Sequence, residues 1–384
     1  MKKIPWRHIV LWAILRPIIV VFLFVKFRYR YKVAKNLPDQ YIVLSNHTTD
    51  FDPLFVAASF PKQMYFVGSE HISRWKVAYP LIKWGFQPIL RYKGTSAAST
   101  VMEMLRTVRK GANICMFPEG ARSWNGVTAP ILPSTGKVVK SAKCALVTYR
   151  IEGGYFASPN WSEGGTRKGL VTGAAVQIYT AEELSSMSVD EINRIINQDL
   201  HEDAYHRQLN APVSYKGRQI AYRLENLLFH CPNCRTMDKI HSQGNTVRCD
   251  QCGHSFRYTE HGMLEGTVYD TVKALFDWEK EQVLLDAKED VLYTAPSAQL
   301  YTVSNHEQTK LAHGIVCMDK DSIRCENVAI SLASITDMAM HGRHALVFSA
   351  AETYYELLFD NADCALKFHL LYQAHTDGAI TKYN

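Results

Sequence analysis

One histidine and one aspartate stand five positions apart in Ser45-Asn46-His47-Thr48-Thr49-Asp50-Phe51-Asp52, directly after the apolar run Tyr41–Leu44. A carboxylate that fixes the tautomer of an imidazole makes it a base able to take a proton from an attacking hydroxyl. The pair has a second reading, because Pro53 suits a first helical position and would make Asp52 a helix N-cap. Asp50 is expected to face solvent or a local turn. A second cluster, Phe117-Pro118-Glu119-Gly120-Ala121-Arg122-Ser123, puts one carboxylate and one guanidinium on a loop where Gly120 permits an uncommon backbone angle. An ordinary loop with an internal ion pair would look the same. The third cluster is Cys231, Cys234, Cys249 and Cys252, two C-x-x-C knuckles that suit tetrahedral zinc. Four thiolates fill the metal's shell, so the role expected is structural.

Zinc ribbons also occur in nucleic-acid machines. Between Cys231 and Cys252, however, Arg235, Lys239 and Arg248 face Asp238 and Asp250, a net charge of 3 − 2 = +1, which is thin for phosphate binding. His230, His241 and His254 are flanking residues beside a complete site. Cys115, Cys144, Cys317, Cys325 and Cys364 lie singly in apolar surroundings and read as buried thiols in a reducing compartment. Ser134-Thr135-Gly136-Lys137 lacks the glycine spacing of a phosphate loop and is given no nucleotide role.

These residues need elements to position them. Short β-branched and aromatic runs predict strands at Tyr41–Ser45, Met64–Val67, Asn113–Phe117, Ala145–Arg150 and Leu170–Tyr179, with helices at Pro53–Ser59 and Ser96–Lys110 between them. Such alternation implies an α/β sheet with its active residues on loops at strand ends. Ser188-x-x-Glu191 opens a helix through about Gln208, and Arg218–Phe229 gives another. Beyond the cysteines, Val268–Asp286 predicts an amphipathic helix. Six strands follow (Gln299–Val303, Gly314–Met318, Ser322–Cys325, Ala329–Leu332, Ala345–Ser349 and Thr353–Phe359), and then a helix over Ala362–Ala374. Many strands closed by one C-terminal helix resemble a pleckstrin-homology-like barrel.

The charge is distributed unevenly along the 384 residues. The net +6 divides into +9 over residues 1–35, +7 over 36–259 and −10 over 260–384, which argues against a basic surface for nucleic acid. The basic end is also apolar: Ile9–Val25 holds a single charge, Arg16, followed by Pro17. Arg16-Pro17 is expected to split this run into two short segments. Basic residues on both sides (Lys2, Lys3 and Arg7, then Lys26, Arg28, Arg30, Lys32 and Lys35) point to a segment held in one leaflet by anionic headgroups. A cleavable signal peptide fits less well, since Arg16 interrupts the apolar run and no small-residue cleavage pattern follows.

Taken in order, the first two clusters and the stretch between them resemble the glycerolipid acyltransferase family, the lysophosphatidic acid acyltransferases and their relatives. Asn46-His47 to Asp52 is similar to that family's N-H-x4-D block. Gly85-Phe86-Gln87-Pro88-Ile89-Leu90-Arg91 is similar to its G-x-x-x-I/V-x-R block, and Phe117–Ser123 to its F-P-E-G-T-R-S block. The resemblance implies a mixed α/β acyltransferase sheet with flanking helices. It also implies His47 as general base with Asp52 as its orienting partner, Arg91 and Arg122 on the acceptor phosphate, and Glu119 and Gly120 in the acceptor pocket. Guanidinium suits phosphate because its planar fork donates paired hydrogen bonds. Two departures stand out: Ala121 replaces a threonine, and Thr148 in Ala145–Arg150 stands where the family's fourth block has proline.

The domains expected are a membrane-attachment segment over 1–35, an acyltransferase domain with a helical extension over 36–229, a zinc ribbon over 230–258 and a β-rich accessory domain over 259–384. The activity implied is transfer of a fatty acyl chain from an acyl-carrier protein or coenzyme A thioester to the hydroxyl of a lysophospholipid, 1-acylglycerol 3-phosphate first among them. It would take place at the cytoplasmic face of a membrane, with the protein monotopic or peripheral. Glycerol 3-phosphate or another lysophospholipid as acceptor, and a non-catalytic membrane adaptor built on the ribbon and tail, are the alternatives.

Overall fold

The computed structural model describes residues 4–69, 72–73, 78–91, 98–304, 307–360, 365–378 and 380. Lys2, Lys3 and Cys364 lie outside the described residues. The chain forms two compact units: Trp161–Gly165 and Gly217–Asn384 belong to the second, and nearly all of the chain up to Lys216 otherwise belongs to the first.

The first unit runs α1 (Trp6–Phe27), β1 (Arg30–Tyr31), β2 (Tyr41–Ser45), α2 (Asp52–Ser59), β3 (Met64–Ser69), α3 (Ala78–Phe86), β4 (Ile89–Arg91), α4 (Ala98–Arg109), β5 (Asn113–Met116), α5 (Thr135–Ala142), β6 (Ala145–Glu152), α6 (Gly154–Ala157), β7 (Thr172–Tyr179), α7 (Ala181–Ser186), α8 (Val189–Leu200) and α9 (Ala204–Asn210). Its sheet has the order β1-β7-β6-β2-β5-β3-β4. It is mixed: β2 runs parallel to β5 and β6, and β3 parallel to β5 and β4, while β6 and β7 are antiparallel. All five residues of β2 are buried, because helices cover both faces of the central strands and make them uniformly apolar. Ile42, Leu44, Ile114 and Leu146 pack with Met104 and Val108 of α4, Val139 of α5, and Ile192 and Ile196 of α8.

The N-terminal segment differs from its expectation. Pro17 lies inside one continuous helix, and Arg16-Pro17 does not divide it. Proline removes one backbone donor and strains the preceding turn, but α1 is held along its length by tertiary hydrogen bonds at intervals of four residues. His8 Nε2 meets the carbonyl of Trp84 (3.0 Å) and its Nδ1 meets the Tyr65 hydroxyl (2.9 Å). Trp12 Nε1 donates to the carbonyl of Phe60. Arg16 donates through Nε (3.1 Å) and Nη2 (2.7 Å) to the carbonyl of Ala58, near the C-terminus of α2. The charge that read as a break in a membrane segment is therefore a clamp onto the fold. Leu23 and Phe27 continue the same buried stripe.

Two helical expectations are also corrected. The helix begun by the Ser188–Glu191 capping box ends at Leu200, and Asp203 caps a separate α9 by accepting from the N–H groups of Tyr205 and His206. Arg218–Phe229 is a series of turns with one short 3-10 segment, Leu224–Asn226. Its helix-like apolar spacing buries Leu224, Leu227 and Leu228 without a regular ladder. Arg223 takes a left-handed backbone conformation, φ 70°, and its N–H is satisfied by the Ser242 hydroxyl.

The second unit holds a four-stranded antiparallel sheet, β8 (Ile240–Gln243), β9 (Thr246–Cys249), β10 (Ser255–Tyr258) and β11 (Leu264–Glu265), followed by α10 (Val272–Glu289). Thr271 caps α10 by accepting from the Ala274 N–H, which sets its start later than Val268. Then come β12 (Tyr293–Ser304), β13 (Glu307–Met318), β14 (Ser322–Cys325), β15 (Val328–Ser331), β16 (Ile335–His341), β17 (Ala345–Ala350), β18 (Thr353–Phe359) and α11 (Ala365–Asp377). These seven strands have the order β15-β14-β13-β12-β18-β17-β16, so the first and last strands of the meander pair at its centre and one helix follows. The strand missing from the sequence reading, β16, carries a register shift between Ile335 and Asp337 that breaks its alternation.

Candidate active site

His47 leaves the C-terminal end of β2, the Phe117–Ser123 loop leaves the C-terminal end of β5, and Arg91 ends β4. In an open α/β sheet the carboxyl ends of parallel strands form the ligand-binding edge, and the topology puts all three motifs there. Three strand spacings, about 14 Å, separate β4 from β2 along that edge.

The His47 imidazole is held by its Nδ1, which lies 2.8 Å from Asp52 Oδ2. Asp52 is fully buried and also accepts from the N–H groups of Thr48 (2.5 Å) and Thr49 (2.9 Å) and from both threonine hydroxyls (3.2 and 2.8 Å). Its carboxylate is thus turned back into the His47–Asp52 turn and gives α2 no side-chain cap, which sets aside the N-cap reading. An acceptor-only carboxylate places the proton on Nδ1 and the lone pair on Nε2. Among the described residues no group hydrogen-bonds Nε2, and the ring is 23% exposed. Phe117 stacks on the other ring face at 4.5 Å between centroids.

The main chain of His47 is held as tightly as its ring. Its N–H donates to Glu119 Oε1 at 2.6 Å, and its carbonyl accepts from the Ser123 N–H at 2.9 Å. Glu119 Oε2 accepts from the Ala129 N–H at 2.8 Å. Both Glu119 oxygens are therefore engaged inside the protein, where the residue is 6% exposed. Gly120 turns the loop with φ 74°, a conformation that favours glycine. Asn46 exchanges two hydrogen bonds of 2.8 Å with the Ile151 backbone, fixing the end of β2 against β6. Asp50 is exposed, as expected for a residue facing solvent or a local turn, and it also forms an ion pair with Arg122 at 2.8 Å. Arg91 is half-buried at the end of β4. Phe117, Ser123 and the Asp50–Arg122 pair are not assigned roles by residue type alone; their places within the two motifs are the available signal. Thr148 lies in mid-β6 with its hydroxyl on Asp199 at 2.8 Å.

In the second unit the four cysteine sulfurs lie within 4.8 Å of one another. The Cys231–Cys252 and Cys234–Cys249 pairs are 3.7 and 3.8 Å apart between sulfurs. Zinc–sulfur bonds of about 2.3 Å in a tetrahedron require about 3.8 Å between ligands, so the donor set fits a metal ion. Left-handed Arg235 and Gly253 turn the chain after each knuckle.

Burial pushes the Glu119 carboxyl from its ordinary 4.5 up to about 8, against the opposing pull of its two backbone donors. A folded-state value above the unfolded one means that the residue's contribution to stability is complete below about pH 4.5 and is lost as pH rises to about 8. In Glu119→Gln that titration disappears and one of the two N–H donors loses its acceptor. Unfolding titrations across pH should show the variant about 1–3 kcal/mol less stable at low pH, the cost of an unpaired buried donor, with the gap narrowing toward pH 8. A gap constant with pH would contradict a protonated Glu119.

Residues 28–152 match the family described as Acyltransferase. Solved structures that match include the 1-acyl-sn-glycerophosphate (LPA) acyltransferase PlsC from Thermotoga maritima, which is 16% identical, covers 53% of this chain and 80% of that chain, and superposes with a TM-score of 0.42. No curated protein matches. The matched stretch, residues 28–152, spans the strands, the loops and the paired histidine and aspartate just described, so this part of the chain is similar to the acyltransferase family.

Proposed function

We propose that this protein transfers a fatty acyl chain from an acyl-carrier protein or coenzyme A thioester to the hydroxyl of a lysophospholipid, with 1-acylglycerol 3-phosphate as the acceptor. The observation that carries this reading is His47, with Nδ1 on a buried carboxylate and Nε2 open. As the acceptor oxygen attacks the thioester carbonyl, Nε2 takes its proton. The tetrahedral intermediate then collapses, the carbon–sulfur bond breaks, and the imidazolium returns the proton to the leaving thiolate. No protein nucleophile is required. Asp52 holds the tautomer and offsets the imidazolium charge, while Glu119 and Ser123 position the His47 backbone. Arg91 and Arg122 are assigned to the acceptor phosphate, with Arg122 exchanging Asp50 for it, and Gly120 lets the loop carry Arg122 to the same edge.

We assign the protein to the cytoplasmic face of a membrane, and α1 supports the attachment. It is long and apolar enough to cross a bilayer by length and composition, yet its His8, Trp12 and Arg16 stripe is bonded to the fold. The opposite face leaves Trp6, Ile14, Ile18 and Val21 more than half exposed, and on α3 Leu81 and Trp84 are too. One face docked and one face bare suits a helix lying in a single leaflet. In the second unit the four cysteines hold structural zinc. Elemental analysis of folded protein should find about one zinc per chain, as four-thiolate stoichiometry requires; folded protein free of metal would refute the assignment.

The activity is tested with full-length protein in detergent or liposomes, crossing both thioester donors with lysolipids of different headgroups and with glycerol 3-phosphate. Acylation of lysophosphatidic acid above the other acceptors is the expected result, with His47→Ala lowering the rate by about 10³-fold. If no lysolipid is acylated while a control enzyme works, or if the variant is as active as the wild type, the reading fails.

A further inference from the structure

Lys26 stands in the last turn of α1, and the acyl-transfer reading gives it no part. Its Nζ lies over the ring of Phe51 at 4.7 Å from the centroid, and over Phe22 and Phe27 at 5.5 and 5.7 Å. Phe51 separates Asp50, the partner of Arg122, from Asp52, the partner of His47. It is itself packed edge-on against Phe27, 4.9 Å between centroids. A helix C-terminus favours a cation, and ring faces within about 6 Å hold one without using up its N–H donors. Among the described residues no carboxylate lies within ion-pair distance of Lys26, whereas Arg122 is neutralised by Asp50. Lys26 is thus a positioned, uncompensated cation on the side of the catalytic turn where the membrane helix ends. The aromatic faces flank one side of the ammonium and leave the other side for a hydrogen-bond acceptor.

We infer that Lys26 binds a lipid phosphate at the mouth of the active site, as a substrate-positioning residue that links the membrane helix to the His47–Asp52 turn. This rests on the acyl-transfer reading for its purpose but on the Phe22–Phe27–Phe51 platform for its evidence. The phosphate is that of the acceptor or that of a neighbouring bilayer lipid, since both present anionic phosphate oxygens. An ammonium with three donors suits either.

The test uses full-length protein with no acyl donor, so that binding is read apart from catalysis. Affinity for lysophosphatidic acid is measured in neutral detergent micelles, and partition onto phosphatidylcholine vesicles with and without phosphatidylglycerol, for wild type, Lys26→Met, Lys26→Arg and Phe51→Leu. A charge-assisted contact to phosphate predicts about 10-fold weaker binding in Lys26→Met. Recovery is expected in Lys26→Arg, with an intermediate loss in Phe51→Leu, where the cation remains but its platform is reduced. Weakening in micelles assigns the acceptor phosphate. Weakening confined to the phosphatidylglycerol vesicles assigns the bilayer phosphate. Unchanged binding in both arms, with Lys26→Met folded as the wild type, overturns the inference. A wild type that binds lysophosphatidic acid but acylates nothing would count against the acyl-transfer reading alone.

Discussion

The site depends on three hydrogen bonds that hold His47 from three directions. Asp52 holds the ring through Nδ1, Glu119 holds the backbone N–H, and the Ser123 N–H holds the backbone carbonyl. Two of the three come from a loop more than seventy positions away in sequence, and what brings that loop alongside is the parallel pairing of β2 with β5. A base that must meet a hydroxyl within hydrogen-bond reach cannot drift by much, and a strand-end turn alone would let it. The buried carboxyl groups of Asp52 and Glu119 are tolerated because every oxygen they present is met by a donor. Stability and chemistry therefore draw on the same few bonds.

The N-terminal helix extends that frame. Arg16 reaches the Ala58 carbonyl near the C-terminus of α2, whose first residue is Asp52. Ten residues later, Lys26 and Phe27 pack on Phe51. The position of α1 is thereby coupled to the His47–Asp52 turn through side chains in contact. Cutting α1 away would uncover Phe55 and Tyr65, which Phe27 and His8 contact, so the helix is part of the folded core.

Much of this was legible in the sequence because the motifs are local. His47 and Asp52 share one turn, Glu119 through Ser123 share another, and the four cysteines come in paired knuckles, so residue type and spacing pointed to their chemistry. Arg16 was misread for the opposite reason. Its partner is a backbone carbonyl of another helix, and a carbonyl carries no residue identity that a pattern could reveal. The role of Glu119 was hidden similarly, since its donors are the backbone N–H groups of His47 and Ala129. Arg218–Phe229 has helical apolar spacing, yet a left-handed Arg223 bonded to Ser242 overrides it, as tertiary partners override local propensity. Asp50 does face solvent, but its pairing with Arg122 was not visible because that arginine is 72 residues away.

The central claim is that His47 carries its proton on Nδ1, facing Asp52, and keeps Nε2 free as the base. Nitrogen NMR of the wild-type protein labelled at histidine reads this directly. The account predicts that the neutral His47 ring shows a protonated Nδ1 coupled to a hydrogen-bonded proton, with an unprotonated Nε2. A neutral ring protonated on Nε2 would contradict it, because the atom facing the substrate would then have no lone pair to accept a proton.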